Sequence, residues 1–119
     1  CSCSKAIAAF AESEFQDCIV SKNLRQYTEH TKTSQKDLYA EFQKIAERGF
    51  ADCDQEIDMG IASVAAPVSI GNIGAIFSIG AVGPIRRFGE AYRNEIGVKL
   101  VELSTRVSGA IQLCNVAEV

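Results

Sequence analysis

Apolar residues recur along this chain mostly at intervals of three and four, the spacing that gathers them on one face of an α-helix. After Ser4, a residue type suited to an N-cap, Ile7, Phe10, Ala11, Phe15, Cys18 and Ile19 follow that period, while Glu12, Glu14 and Asp17 fall largely on the other side. A first helix over 4–21 is predicted. Residues 22–33 (KNLRQYTEHTKT) are polar and aperiodic and read as a loop. A second helix starts at Ser34, where Ser34-Gln35-Lys36-Asp37 is a near capping box with Asp in the place of the usual Glu or Gln. Leu38, Phe42 and Ile45 form its stripe, and Gly49 suits the C′ position. The pattern also runs on through Phe50, Cys53, Ile57, Ile61 and Val64, so one helix kinked near Gly49 is a second reading. Either form ends before Pro67, because the residue ahead of a proline avoids the α region.

The closing helix carries the longest stripe: Ile85, Phe88, Tyr92, Ile96, Leu100, Leu103, Val107, Ile111 and Cys114. Pro84 fits its first turn. Gly89, Gly97 and Gly109 weaken it and mark points of close approach by another helix. No run alternates in the manner of a strand. The predicted class is all-α: a single domain over 1–119, built as a disulfide-stapled bundle of four to five helices.

Between these helices, residues 61–83 (IASVAAPVSIGNIGAIFSIGAVG) carry no charge. The stretch is long enough to cross a bilayer, but Pro67, Asn72, Gly71, Gly74, Gly80, Gly83 and three serines make it poor membrane-span material. The favoured reading is a buried helix over 67–82 whose small residues let its neighbours approach closely. A hairpin released onto lipid and the wall of a lipid-binding cavity are the alternatives.

Composition places the chain among ordinary globular proteins, with 47% hydrophobic and 23% charged residues. A net charge of −3 argues against a nucleic-acid-binding role. The chemistry of catalysis is missing: His30 is the one histidine, it sits in the polar loop, and no nucleophile elbow, zinc-protease motif, phosphate loop or Cys-x-x-Cys is present. Neither an enzyme nor a cofactor is expected. Asp52, Asp54, Glu56 and Asp58 alternate as in an EF-hand, but Ile57 and Ser63 occupy the positions that need Gly and Glu, so the acids read as complements to a helix dipole and no metal is expected. Arg86, Arg87, Tyr92 and Arg93 form the candidate partner-binding patch, since Arg and Tyr are common at interface hot spots.

Most of the five cysteines, which lack paired zinc spacing, read as disulfides in an oxidising, extracellular setting, and the start at Cys1 is what signal-peptide removal leaves. If the first two helices form a hairpin around 22–33, Cys3 comes level with Cys53, its natural partner, with Cys1 as the alternative; Cys18 is then left for Cys114, and Cys1 is the odd cysteine, free, capped or intermolecular.

Taken whole, the layout resembles the albicin- and anophensin-type salivary inhibitors of anopheline mosquitoes. The likeness rests on the Cys1-Ser2-Cys3 opening, the lone cysteines at 18, 53 and 114, the apolar run from Ile70 to Phe77 and the long closing helix. It implies a secreted inhibitor of a host plasma cascade, complement convertase or contact pathway, acting by protein contact alone. The rivals are a carrier of small hydrophobic ligands and a membrane-active toxin. The uncharged centre can equally serve an interface between two copies.

Overall fold

The computed structural model describes residues 1–22, 24–71 and 73–117. Their elements run α1 (Ser2–Ala9), α2 (Ser13–Val20), α3 (Gln35–Arg48), β1 (Ala51–Asp54), β2 (Ile61–Ile70), β3 (Gly74–Pro84) and α4 (Glu90–Ala117). The strands form one antiparallel sheet in the order β1-β2-β3. The fold is therefore mixed α/β, and the all-α expectation is overturned. The uncharged segment is a β-hairpin rather than a central helix, and Asn72 lies outside the described residues.

The layering explains why no alternation was visible. Ala51 and Ala65 face a cluster built from Ala6, Ala9, Val20, Leu38, Phe42 and Ile45, on α1, α2 and α3. Val64 and Ala66 face the opposite way, against Leu100 of α4 and Phe50. With helices on both faces, β2 buries every residue from Ala62 to Ala66, so it reads as an unbroken apolar run. Pro67 is tolerated because β1 ends opposite Ala65, leaving β2 with only β3 beside it at that point.

The first predicted helix is two. The chain breaks after Ala9, and Gln16 donates its side-chain N–H groups to the freed carbonyls of Ala8 (2.9 Å) and Ala9 (3.2 Å). The break turns Phe10 and Phe15 outward instead of into a core. Gly49 ends α3 in the left-handed region at φ 88°, which stops the helix and excludes the kinked alternative. The closing helix begins at Glu90, after a turn over Ile85–Phe88, rather than at Pro84.

Of the glycines in that helix, Gly97 does mark a close approach, although the approaching group is a phenyl ring. A Cβ there would stand 2.4 Å from Cδ2 of Phe50. Gly109 faces open space, as does Gly89, which precedes the helix.

Candidate functional site

Lys5 is the one charge on an otherwise apolar first helix, and α1 carries it into the space between α3 and the β1–β2 turn. Its Nζ lies 3.1 Å from Oε1 of Glu41 on α3 and 2.9 Å from Oε2 of Glu56 in the turn. Lys32 reaches the same Glu56 from the loop before α3. Burial works to raise the Glu56 carboxyl, but Lys5 and Lys32 outweigh it and hold the group below the usual carboxylate range. For Lys32 burial works downward, and the Glu56 partner more than reverses it, so that its ammonium is raised.

The turn that delivers Glu56 is shaped by Gln55, whose φ of 56° is left-handed. Asp52 and Asp54 point toward α4, whereas Glu56, past this residue, points to α1. The polar segment is pinned to the same turn: the hydroxyls of Thr28 and Thr31 donate to the carbonyls of Gln55 (2.6 Å) and Glu56. Thr31 Oγ1 also accepts the backbone N–H groups of Tyr27 and Thr28. What reads as aperiodic loop is thus a folded flap.

Between flap, α1, α2, α3 and turn lies a cavity of ≈ 310 Å³. Ala8, Ile19, Leu24, Leu38, Phe42 and Ile57 supply apolar walls, and Lys5, Lys32, Glu56, Thr31, Tyr27 and Arg25 supply polar atoms. Among the described residues Arg25 has no carboxylate partner; its guanidinium lies 5.0 Å from the Tyr27 ring centroid. A mostly apolar cavity with a few convergent polar groups is the form of a small-molecule site. A smaller cavity of ≈ 180 Å³ adjoins it and shares Cys1 and Ile57.

The candidate patch does not assemble as expected. Arg93 is only 4% exposed: it bonds Asp52 (3.2 Å), Asp54 (3.0 Å) and the carbonyl of Phe88 (2.6 Å). It serves as a clamp between α4 and β1. Arg86 and Arg87 precede α4 and are exposed, and Tyr92 stacks edge-on against Phe88 at 5.4 Å. Of the acids read as dipole complements, Asp52, Asp54 and Glu56 are instead partners for Arg48, Arg93, Lys5 and Lys32, whereas Asp58 is exposed. Cys1, Cys3, Cys18, Cys53 and Cys114 all carry free thiols in the structure.

The described residues thus set helices on both faces of a small antiparallel sheet, with a ligand-sized cavity beside it. The model of the bacterial transcriptional regulator IclR C-terminal domain matches residues 1–109, and the chain belongs to that family. The Agobacterium tumefaciens repressor BlcR superposes with a TM-score of 0.87 at 14% identity, over 94% of this chain and 45% of that one. The Thermotoga maritima IclR gives 0.83 at 27% identity, over 91% and 44%. The inducer-binding domain of PobR from Acinetobacter gives 0.77 at 15% identity, over 94% and 63%. The chain thus spans less than half the length of BlcR. No curated protein sequence matches it.

Family membership corrects the functional expectations. The likeness to mosquito salivary inhibitors was one of layout, and the layout itself was misread. Secretion, disulfide stapling and a host plasma target fall with it, as do the ligand-carrier and toxin readings. The exclusion of nucleic acid falls too, since the family is one of transcriptional regulators. The domain is regulatory and not an enzyme.

Proposed function

We propose that this chain is the effector-sensing part of a bacterial transcription factor, and that its effector is a small organic anion held in the ≈ 310 Å³ cavity. The observation that carries the reading is the cavity's division of labour. Leu24, Leu38 and Phe42 offer an apolar wall, and Arg25 stands at the same cavity with no carboxylate partner among the described residues. Arginine's fork suits a carboxylate, and ligand binding would supply the partner that the protein omits. A neighbouring fold, the PobR inducer-binding domain, is described in complex with 3-hydroxybenzoic acid, which supports a ligand of this size and charge.

In this reading DNA contact belongs to other parts of the regulator. Because Thr28, Thr31 and Lys32 tie the flap to the β1–β2 turn, a bound effector would bridge flap, α3 and sheet. Its differential affinity for the tied arrangement would be the signal.

A thermal-shift screen of small carboxylates against matched amides and amines tests this. A ligand present at about 100 times its Kd stabilises by about 2.7 kcal/mol. Carboxylates are expected to stabilise, and Arg25→Ala to weaken them about tenfold or more without lowering the unliganded Tm. Stabilisation by amines, or equal stabilisation of the Arg25→Ala variant, would contradict the anionic assignment.

A further inference from the structure

The smaller cavity has a chemistry that effector sensing does not use. Its ≈ 180 Å³ are lined by two cysteines, Cys1 and Cys53, with Asp58 and Ser63 at the side and Ile57, Ile61 and Val82 as apolar walls. The two cysteines lie 52 positions apart and reach one space because α1 starts beside the strand pair β1–β2, an approach fixed by the buried Ser2–Ser63 hydroxyl bond of 2.7 Å opposite Cys53. Cys1 is exposed and Cys53 buried, so the pair has an open and a closed end. The nearby Cys3 is used differently: it packs against the first core cluster and over Gly80, where an added Cβ would lie 3.1 Å from its sulfur.

We propose that Cys1 and Cys53 form a two-thiol site for a trivalent arsenical. Among the described residues no group of three or more His, Cys, Asp and Glu is placed to hold a metal ion, which disfavours a cation such as zinc that takes four protein ligands. Trivalent arsenic is satisfied by two protein sulfurs and one further substituent, and Ile57, Ile61 and Val82 would face an organic substituent. The step is a condensation: an arsenoxide R–As=O takes two S–H groups, two As–S bonds form, the As=O bond breaks, and both thiol protons leave in one water. Nothing is oxidised or reduced. Burial, with Glu56 adding to it, pushes the Cys53 thiol up, which slows reagents that need a thiolate but leaves this water-releasing condensation available. Cys1 and Ile57 line both cavities, but the inference does not need Arg25, so Arg25→Ala tests the effector reading and Cys53→Ser, at a residue of the smaller cavity alone, tests this one.

The test is titration of the reduced chain with phenylarsine oxide, read by intact mass and by the loss of thiols reactive toward a chromogenic disulfide. One equivalent is expected to bind and to remove two thiols. Cys1→Ser and Cys53→Ser should each weaken binding by about a hundredfold or more, because a lone thiol loses the second, tethered bond. Cys18→Ser and Cys114→Ser should leave it unchanged. Circular dichroism checks each fold, and the exposed Cys1 keeps the test valid should Cys53→Ser unfold. Unchanged affinity in Cys1→Ser would overturn the proposal. So would loss in Cys3→Ser with retention in Cys53→Ser, which would make the pair Cys1 with Cys3.

Discussion

Lys5 Nζ and Glu56 Oε2 stand 2.9 Å apart although 51 residues separate them, and this pair fastens α1 to the turn that lines the ≈ 310 Å³ cavity. Both side chains are nearly buried, so neither charge is solvated if the other is removed. Glu56→Gln is expected to cost about 1–3 kcal/mol at pH 7, measured by urea unfolding. The pH dependence has a definite sign. Folding holds the Glu56 and Asp52 carboxyls below their ordinary values. Their stabilisation is therefore complete above the unfolded pKa values of about 4 and is lost as pH falls through the lower folded ones. Glu56→Gln should flatten part of that acid slope, and an unchanged slope would show that Glu56 is not charged and paired in the folded state.

Arg93 is the clamp on the other face of the sheet. Asp52 feels burial first, which works to raise it, and the hydrogen bond and charge of Arg48, then Lys5 and Arg93, outweigh that and lower it. Arg93→Ala removes a buried partner of two carboxylates and is expected to cost about 3 kcal/mol. Arg86→Ala and Arg87→Ala, at exposed positions, should stay within about 0.5 kcal/mol of the parent. Thermal unfolding of the three variants separates a clamp from a surface patch.

Gly97 and Gly109 lie in the same helix and should respond with opposite signs. Gly97→Ala forces a methyl group into the Phe50 ring, with an expected loss of about 1–3 kcal/mol by overpacking. Gly109→Ala meets open space and should gain about 0.5–1 kcal/mol from helix propensity. Chemical denaturation of both variants reads the difference.

These positions show what the sequence could and could not disclose. The amphipathic helices were legible: the stripe Leu38, Phe42, Ile45 with its Gly49 stop lies on one helix, and most of the closing stripe lies on α4. The sheet was hidden because β2 is covered on both faces and dilutes its two Ile and two Val with Ala, Ser and Pro, so that it neither alternates nor reads as a β-branched run. Phe50, Cys53, Ile57, Ile61 and Val64 mimic a helical period while spanning a strand, a turn and a second strand. A period of two was present in the acids: Asp52 and Asp54 share the α4-facing side of β1.

The site was harder still. Lys5 and Glu56 are made partners by topology alone, and Arg25, Tyr27, Thr31 and Lys32 sit in a segment whose polarity resembles that of any exposed loop. A lone lysine, Lys5, directly ahead of the apolar stretch Ala6–Phe10 was the one available hint. The cysteines misled because their spacing is compatible with disulfides, whereas compartment decides whether thiols pair.

The most direct test of the central claim is amide chemical-shift mapping of the labelled chain during titration with a panel of small organic acids. The account predicts saturable shifts at Ala8, Leu24, Arg25, Thr31, Phe42 and Ile57, which line the cavity. Absence of saturable shifts across the panel, or shifts confined to the outer groove of Phe10, Phe15 and Ile76, would contradict it.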